Sequence, residues 1–149
     1  MVKKISILGS TGSIGKNVFK IIDSSKKSFK INLLSANKNY PLICYQIKKY
    51  KPKYFIINNS NVFKKVKDKF KNHSVKIFES FNYNKRNFKS DITISAIPGL
   101  AGLEPTIEMI KLSSKILIAN KESVICGWNL IEKTAKKNNT NIIPVDSEH

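Results

Sequence analysis

Apolar residues along this chain fall into short runs separated by longer mixed segments. The runs at Lys4–Leu8, Lys30–Ser35, Tyr54–Ile57, Val75–Phe78, Ile92–Ser95, Ile116–Ala119 and Asn141–Pro144 are mostly rich in Ile, Val or Phe. Several are bounded by Gly, Pro or Asn, and each predicts a β-strand. Helix-length segments lie between them. Ser13–Ser24 aligns Ile14, Val18, Ile21 and Ile22 on one stripe, and Pro41–Lys51 aligns Ile43, Cys44 and Ile47; Asn61–Phe70, Gly102–Lys111 and Cys126–Lys137 continue the pattern. The polar, aromatic-dotted and basic segment Glu79–Lys89 interrupts the rhythm and is expected to be a long loop. Strand–helix–strand repetition at this spacing predicts an α/β fold, a doubly wound, mostly parallel sheet with helices on both faces. Such sheets bind ligands outside the carboxyl ends of the strands, where strand order reverses. A functional motif should therefore follow a strand.

The first strand is followed by "GSTGSIGK", residues Gly9 to Lys16. A P-loop would need glycine at Ser10 and Ser or Thr at Asn17, so that reading fails twice. Gly9, Gly12 and Gly15 instead form G-x-x-G-x-x-G, a variant of the dinucleotide fingerprint, between a strand and an amphipathic helix. Glycine lets the chain turn tightly and lets backbone N–H groups approach a pyrophosphate at the helix N-terminus. Ser10, Thr11 and Ser13 add short hydroxyls able to donate to phosphate or to cap the helix. The expected fold is thus Rossmann-like. An NAD site carries Asp or Glu about 20 residues past the glycines. Here no acidic residue lies between Asp23 and Asp68, and Lys38 stands near the expected position, which favours NADP; a plain surface lysine is the other reading.

Further motifs follow later strands. In Ala96–Thr106, Gly99 and Gly102 would bring backbone close to the nicotinamide half of a cofactor, or simply form a turn. Asn120-Lys121-Glu122-Ser123 follows the strand Ile116–Ala119. Asn120 can hold the cofactor and Lys121 an anionic substrate; alternatively Asn120, Ser123 and Glu122 make a helix N-cap, and the two readings are compatible. After the last strand, Asp146 and Glu148 are carboxylates at i, i+2. They can converge on a hard cation such as Mg²⁺ or Mn²⁺, or form a solvated tail.

Length and composition constrain the rest. The 149 residues suit one domain with a real core. With 27 Lys and Arg against 10 acidic residues the net charge is +17, which alone would suggest nucleic acid. However, Arg86 is the lone arginine and the lysines are dispersed, so the excess reads as solvated surface, with no nucleic-acid partner. Cys44 and Cys126 lack metal-ligand spacing, consistent with reduced thiols in a cytoplasmic protein. The apolar run Ile5–Leu8 is too short for a signal peptide, and no stretch approaches the roughly 20 apolar residues of a membrane helix.

Taken together, "ILGSTGSIG", "ANKES" and "PVDSEH", in this order and spacing, resemble the 1-deoxy-D-xylulose 5-phosphate reductoisomerases. The resemblance spans the chain. It implies an NADPH-binding domain over residues 1–143 and the start of a catalytic domain over 144–149. It further implies an NADPH- and divalent-metal-dependent isomerisation and reduction of 1-deoxy-D-xylulose 5-phosphate to 2-C-methyl-D-erythritol 4-phosphate. Carried over by residue, Thr11, Gly12, Ser13 and Ile14 would contact NADPH, as would Asn37, Lys38 and Asn39, with Asn37 replacing a family glycine. Asn120 and Glu122 would contact NADPH, Lys121 and Ser147 the substrate, and Asp146 and Glu148 Mg²⁺ or Mn²⁺. His149 falls on the motif histidine and receives no role. Full-length members are expected to be homodimeric, and a chain of this length to bind NADPH without turning over substrate. The competing readings are another NADP-linked dehydrogenase, such as a semialdehyde dehydrogenase, which needs a catalytic cysteine, and a basic nucleic-acid-binding module.

Overall fold

A computed structural model describes residues 1–82 and 85–145. Seven strands, β1 (Lys3–Leu8), β2 (Phe29–Ala36), β3 (Tyr54–Ile57), β4 (Lys76–Phe78), β5 (Ser90–Ser95), β6 (Ser113–Ile118) and β7 (Asn141–Pro144), form one sheet in the order β4-β3-β2-β1-β5-β6-β7. Every pairing is parallel. Five helices connect them: α1 (Ser13–Ser24), α2 (Tyr40–Tyr50), α3 (Ser60–Lys69), α4 (Leu103–Ile110) and α5 (Lys121–Asn138).

Parallel strands covered on both faces read as continuous apolar runs, and β3, Tyr-Phe-Ile-Ile, is buried throughout. Alternate residues enter two cores. Ile5, Ile7, Leu34, Phe55 and Ile57 meet α1, α2 and α3 on one face. Leu8, Leu33, Tyr54, Ile56, Ile116 and Ile118 meet α4 and α5 on the other. The sheet is therefore doubly wound, as the strand–helix rhythm predicts, and parallel throughout the described residues.

Three expectations need correction. In α1 the buried stripe is Gly15, Phe19 and Ile22; Ile21 points to solvent, because the face follows the 3.6-residue period through Phe19. Helix α5 starts at Lys121, five residues before the expected Cys126, because Asn120 supplies an N-cap there. The segment Glu79–Lys89 carries a short 3-10 turn at Lys85–Phe88. It also delivers Phe81 and Phe88 to the second core, where Phe88 packs edge-on against Tyr54 (centroids 5.2 Å) and Phe78 (6.0 Å). Phe81 and Phe88 thus join α4 and α5 in packing on the second face of the sheet.

Candidate functional site

Strand order reverses about β1, whose neighbours are β2 and β5. The chain leaves β1 toward α1 on one face and leaves β5 toward α4 on the other, so their carboxyl ends open a crevice at the switch point. A groove of about 590 Å³ lies there, lined by Gly9, Thr11 and Gly12 after β1, Ser35 to Asn37 at the end of β2, and Asn58 after β3. Ala96, Ile97 and Pro98 after β5, with Ala101 and Pro105, complete its wall.

The glycine turn is built by close approach. Gly9 has φ +81°, and a Cβ on it would lie 2.7 Å from the Ala96 carbonyl oxygen. A Cβ at Gly15 would fall 2.5 Å from the carbonyl oxygen of Gly9 and 2.6 Å from that of Ser10. Gly12 differs: its nearest neighbour would be the Gly9 oxygen at 3.6 Å, an ordinary contact, so the fold leaves space beside it. The backbone N–H groups of Gly9 and Ser10 both donate to the Ser35 carbonyl oxygen (3.1 and 2.9 Å), tying the turn to β2.

Helices α2, α3 and α5 each start with an asparagine whose Oδ1 accepts a backbone N–H: Asn39 from Leu42 (3.2 Å), Asn59 from Val62 (3.0 Å), Asn120 from Ser123 (3.0 Å). Helix α1 has no such cap. Gly12 occupies the cap position, no side chain accepts from the first turn, and that turn contains no acidic residue. Its orphan N–H donors and the positive end of its dipole open beside the groove, the usual arrangement for an anion. Of the three hydroxyls expected there, Ser10 faces inward. It is fully buried and its Oγ donates to Gln46 Oε1 (2.8 Å), so it is removed from both proposed tasks; Thr11 lines the groove and Ser13 is exposed.

Asn37 lines the groove, Lys38 is exposed beside it, and Asn39 caps α2. Among the described residues, no carboxylate lines the groove. On the other side of the switch point, Asn120 is 3 % exposed and braces two loops. Its Nδ2 donates to the carbonyl oxygens of Ile97 and of Gly99 (2.8 Å), while its Oδ1 caps α5. Gly102 is glycine for the same reason, since a Cβ would overlap the Asn120 amide. The Asn120 amide and the Ile97 carbonyl oxygen are thus sufficient reason for glycine at position 102. Lys121 and Glu122 are the exposed first residues of α5, and Ile14, second in α1, is half-buried. Asp146, Ser147, Glu148 and His149 lie outside the described residues.

The groove thus gathers Gly9, Thr11, Gly12 and Asn37 from the expected set. It adds Ser35 near the end of β2 and Asn58 after β3, which no motif marked, and Ile97, Pro98, Ala101 and Pro105 from the Ala96–Thr106 segment. Neither cysteine lines it: Cys44 is buried in the first core and Cys126 is exposed on α5, so neither stands as a nucleophile at this crevice.

The family model for 1-deoxy-D-xylulose 5-phosphate reductoisomerase matches residues 5–127. The chain belongs to this family. A reductoisomerase from Pelagibacter ubique (strain HTCC1062) is 48% identical over 99% of the chain. Among solved structures, the reductoisomerase from Zymomonas mobilis in complex with NADPH superposes over the whole chain with a TM-score of 0.90 at 27% identity. A DOX-P reductoisomerase in complex with NADPH, fosmidomycin and magnesium does so over 98% of the chain, with a TM-score of 0.89 at 26% identity. The chain spans 39%, 40% and 37% of these three proteins' own lengths.

Proposed function

We propose that residues 1–143 are the NADPH-binding domain of a reductoisomerase that converts 1-deoxy-D-xylulose 5-phosphate to 2-C-methyl-D-erythritol 4-phosphate. The observation that carries this reading is the uncapped N-terminus of α1 opening on the groove at the switch point. Its backbone donors suit a pyrophosphate, and the space beside Gly12 admits one. A groove without a carboxylate among the described residues, with Lys38 exposed beside Asn37, suits a 2′-phosphate. In this reading Gly9, Thr11, Gly12, Ser13, Ile14 and Gly15 hold the pyrophosphate, and Asn37, Lys38 and Asn39 the adenosine ribose. Asn120 and Glu122 shape the nicotinamide end, Asn120 through the loop it braces.

In this reading Lys121, the exposed first residue of α5, pairs with an anionic phosphosugar, and Ser147 is assigned a substrate contact. Asp146 and Glu148 offer hard oxygen donors suited to Mg²⁺ or Mn²⁺. Bound there, the ion would polarise the carbonyl and hydroxyl oxygens of the substrate. The protein's own residues position the dinucleotide so that its hydride faces the substrate and screen the developing charge. The full protein is proposed to be a cytoplasmic homodimer without nucleic-acid or membrane partners; among the described residues no helix is long and apolar enough to cross a membrane.

Cofactor protection against thermal unfolding tests the core of this reading. At a ligand concentration 100 times Kd, binding contributes about 2.7 kcal/mol. That is a rise in Tm of roughly 5–10 °C for a chain of this size. NADPH should give such a rise and NADH a smaller one. Equal protection by the two, or none, would overturn the proposal.

A further inference from the structure

The buried pairing of Gln46 with Ser10 has no part in the reading above, and both side chains are removed from solvent: Ser10 is 0 % and Gln46 2 % exposed. The bond is reciprocal. Ser10 Oγ donates to Gln46 Oε1 (2.8 Å), and Gln46 Nε2 donates to the Ser10 backbone carbonyl oxygen (3.0 Å). A glutamine in the middle of an otherwise apolar helix face, flanked in the core by Ile43 and Ile47, is costly to bury unless its amide is fully engaged. Among the described residues its amide engages Ser10, the second position of the glycine turn.

The two ends of this contact belong to different halves of the candidate dinucleotide site. Ser10 lies between Gly9, which abuts Ala96, and the cap of α1; its carbonyl oxygen also marks how closely Gly15 approaches. Gln46 sits two turns into α2, the helix that Asn39 caps and that Asn37 and Lys38 lead into. A helix is stiff at about 1.5 Å per residue. Holding Gln46 therefore holds the start of α2, and with it the Asn37–Asn39 loop, in register with the N-terminus of α1.

Resting on the NADPH reading, we infer that Gln46 is a positioning residue for the cofactor: it sets the separation between the pyrophosphate turn and the loop that receives the 2′-phosphate, and thereby the preference for NADPH over NADH. A ligand spanning both subsites depends on their separation, whereas one lacking the 2′-phosphate depends mainly on the turn.

The test is the ratio of dissociation constants for NADH and NADPH, measured by fluorescence titration on the wild-type protein, Gln46→Leu, Ser10→Ala and the core control Ile47→Val. The ratio is independent of the fraction of molecules folded, so general destabilisation leaves it unchanged. Gln46→Leu is expected to weaken NADPH about 10-fold and NADH less than about 3-fold, collapsing the ratio. Ser10→Ala, which keeps the amide-to-carbonyl bond, should shift it in the same direction by less, and Ile47→Val should not shift it. Equal weakening of both nucleotides, or an unchanged ratio in Gln46→Leu, overturns the inference. Failure of the wild-type protein to prefer NADPH overturns the underlying cofactor reading instead.

Discussion

Replacing Asn120 by Asp separates its two tasks. As a helix N-cap Asp ranks with Asn, and a carboxylate at the positive end of α5 gains roughly 0.3–1 kcal/mol from the helix dipole. Cap preference alone makes Asn120→Asp neutral or stabilising. The tertiary contacts reverse the sign. The amide nitrogen donates to two carbonyl oxygens, those of Ile97 and Gly99, from a side chain 3 % exposed. A carboxylate donates nothing and turns its charge toward both. Two lost hydrogen bonds at about 1 kcal/mol each, together with about 1–3 kcal/mol for desolvating a charge left facing carbonyls, outweigh the dipole gain. The net loss is roughly 2–5 kcal/mol, which lowers Tm by roughly 4–20 °C. Burial raises the introduced carboxyl's folded pKa above its unfolded value of about 3.9. The deficit is therefore complete above the folded pKa and shrinks as pH falls toward the unfolded one. Thermal and urea unfolding at pH 7.5 and 5 measure both effects. A variant as stable as the wild type at pH 7.5, or a deficit that grows on acidification, would refute the brace.

The glycines supply a second contrast. Gly15→Ala places a methyl 2.5 Å from the Gly9 oxygen and should lower stability by about 1–3 kcal/mol in urea unfolding. Gly12→Ala, at φ −79° with its nearest neighbour 3.6 Å away, should leave stability within about 0.5 kcal/mol while reducing NADPH affinity at least about 10-fold by titration. Lys38→Glu should weaken NADPH by about 10-fold or more and leave NADH nearly unchanged, because the introduced charge opposes only the 2′-phosphate. At the other end of α1, Asp23 accepts from Tyr50 Oη (2.9 Å) and Lys49 Nζ (3.2 Å). Desolvation, the largest single influence, raises its pKa, but the hydrogen bonds from Tyr50 and Lys49 and the charges of Lys49 and Lys26 together hold it below the ordinary 3.8. Its contribution is thus present above pH 3.8 and lost as pH falls through the lower folded value, so Asp23→Asn should flatten the acid limb of a denaturation series between pH 5 and 2.

Much of the fold is legible in the order of residues because its signals are local. A parallel strand covered on both faces is a short apolar run, and β3 reads as Tyr-Phe-Ile-Ile in either description. The period of an amphipathic helix and the tight turn after β1 are likewise written within a dozen residues, which is why the strand–helix alternation and the dinucleotide fingerprint are both recognisable before any coordinate is known. Even locally, similar letters compete. Ile21 and Phe19 both lie near the apolar stripe of α1, and only packing against the sheet selects Phe19.

What the tertiary structure decided is which groups are already engaged. Ser10, Thr11 and Ser13 are equivalent as a string of short hydroxyls, yet Ser10 is consumed by Gln46, 36 residues away. Gly12 and Gly102 are equally glycine, but a Cβ at one meets nothing closer than 3.6 Å while at the other it would overlap Asn120. Asn120 itself reads as a ligand or as a cap until its amide is seen to reach Ile97, 23 residues earlier. Hydrogen-bond satisfaction and close approach are properties of pairs of segments, set by how the sheet brings strand ends together. The sequence determines that a glycine turn with a dinucleotide-type fingerprint follows β1; the packing around it determines which of its atoms remain free to meet a ligand.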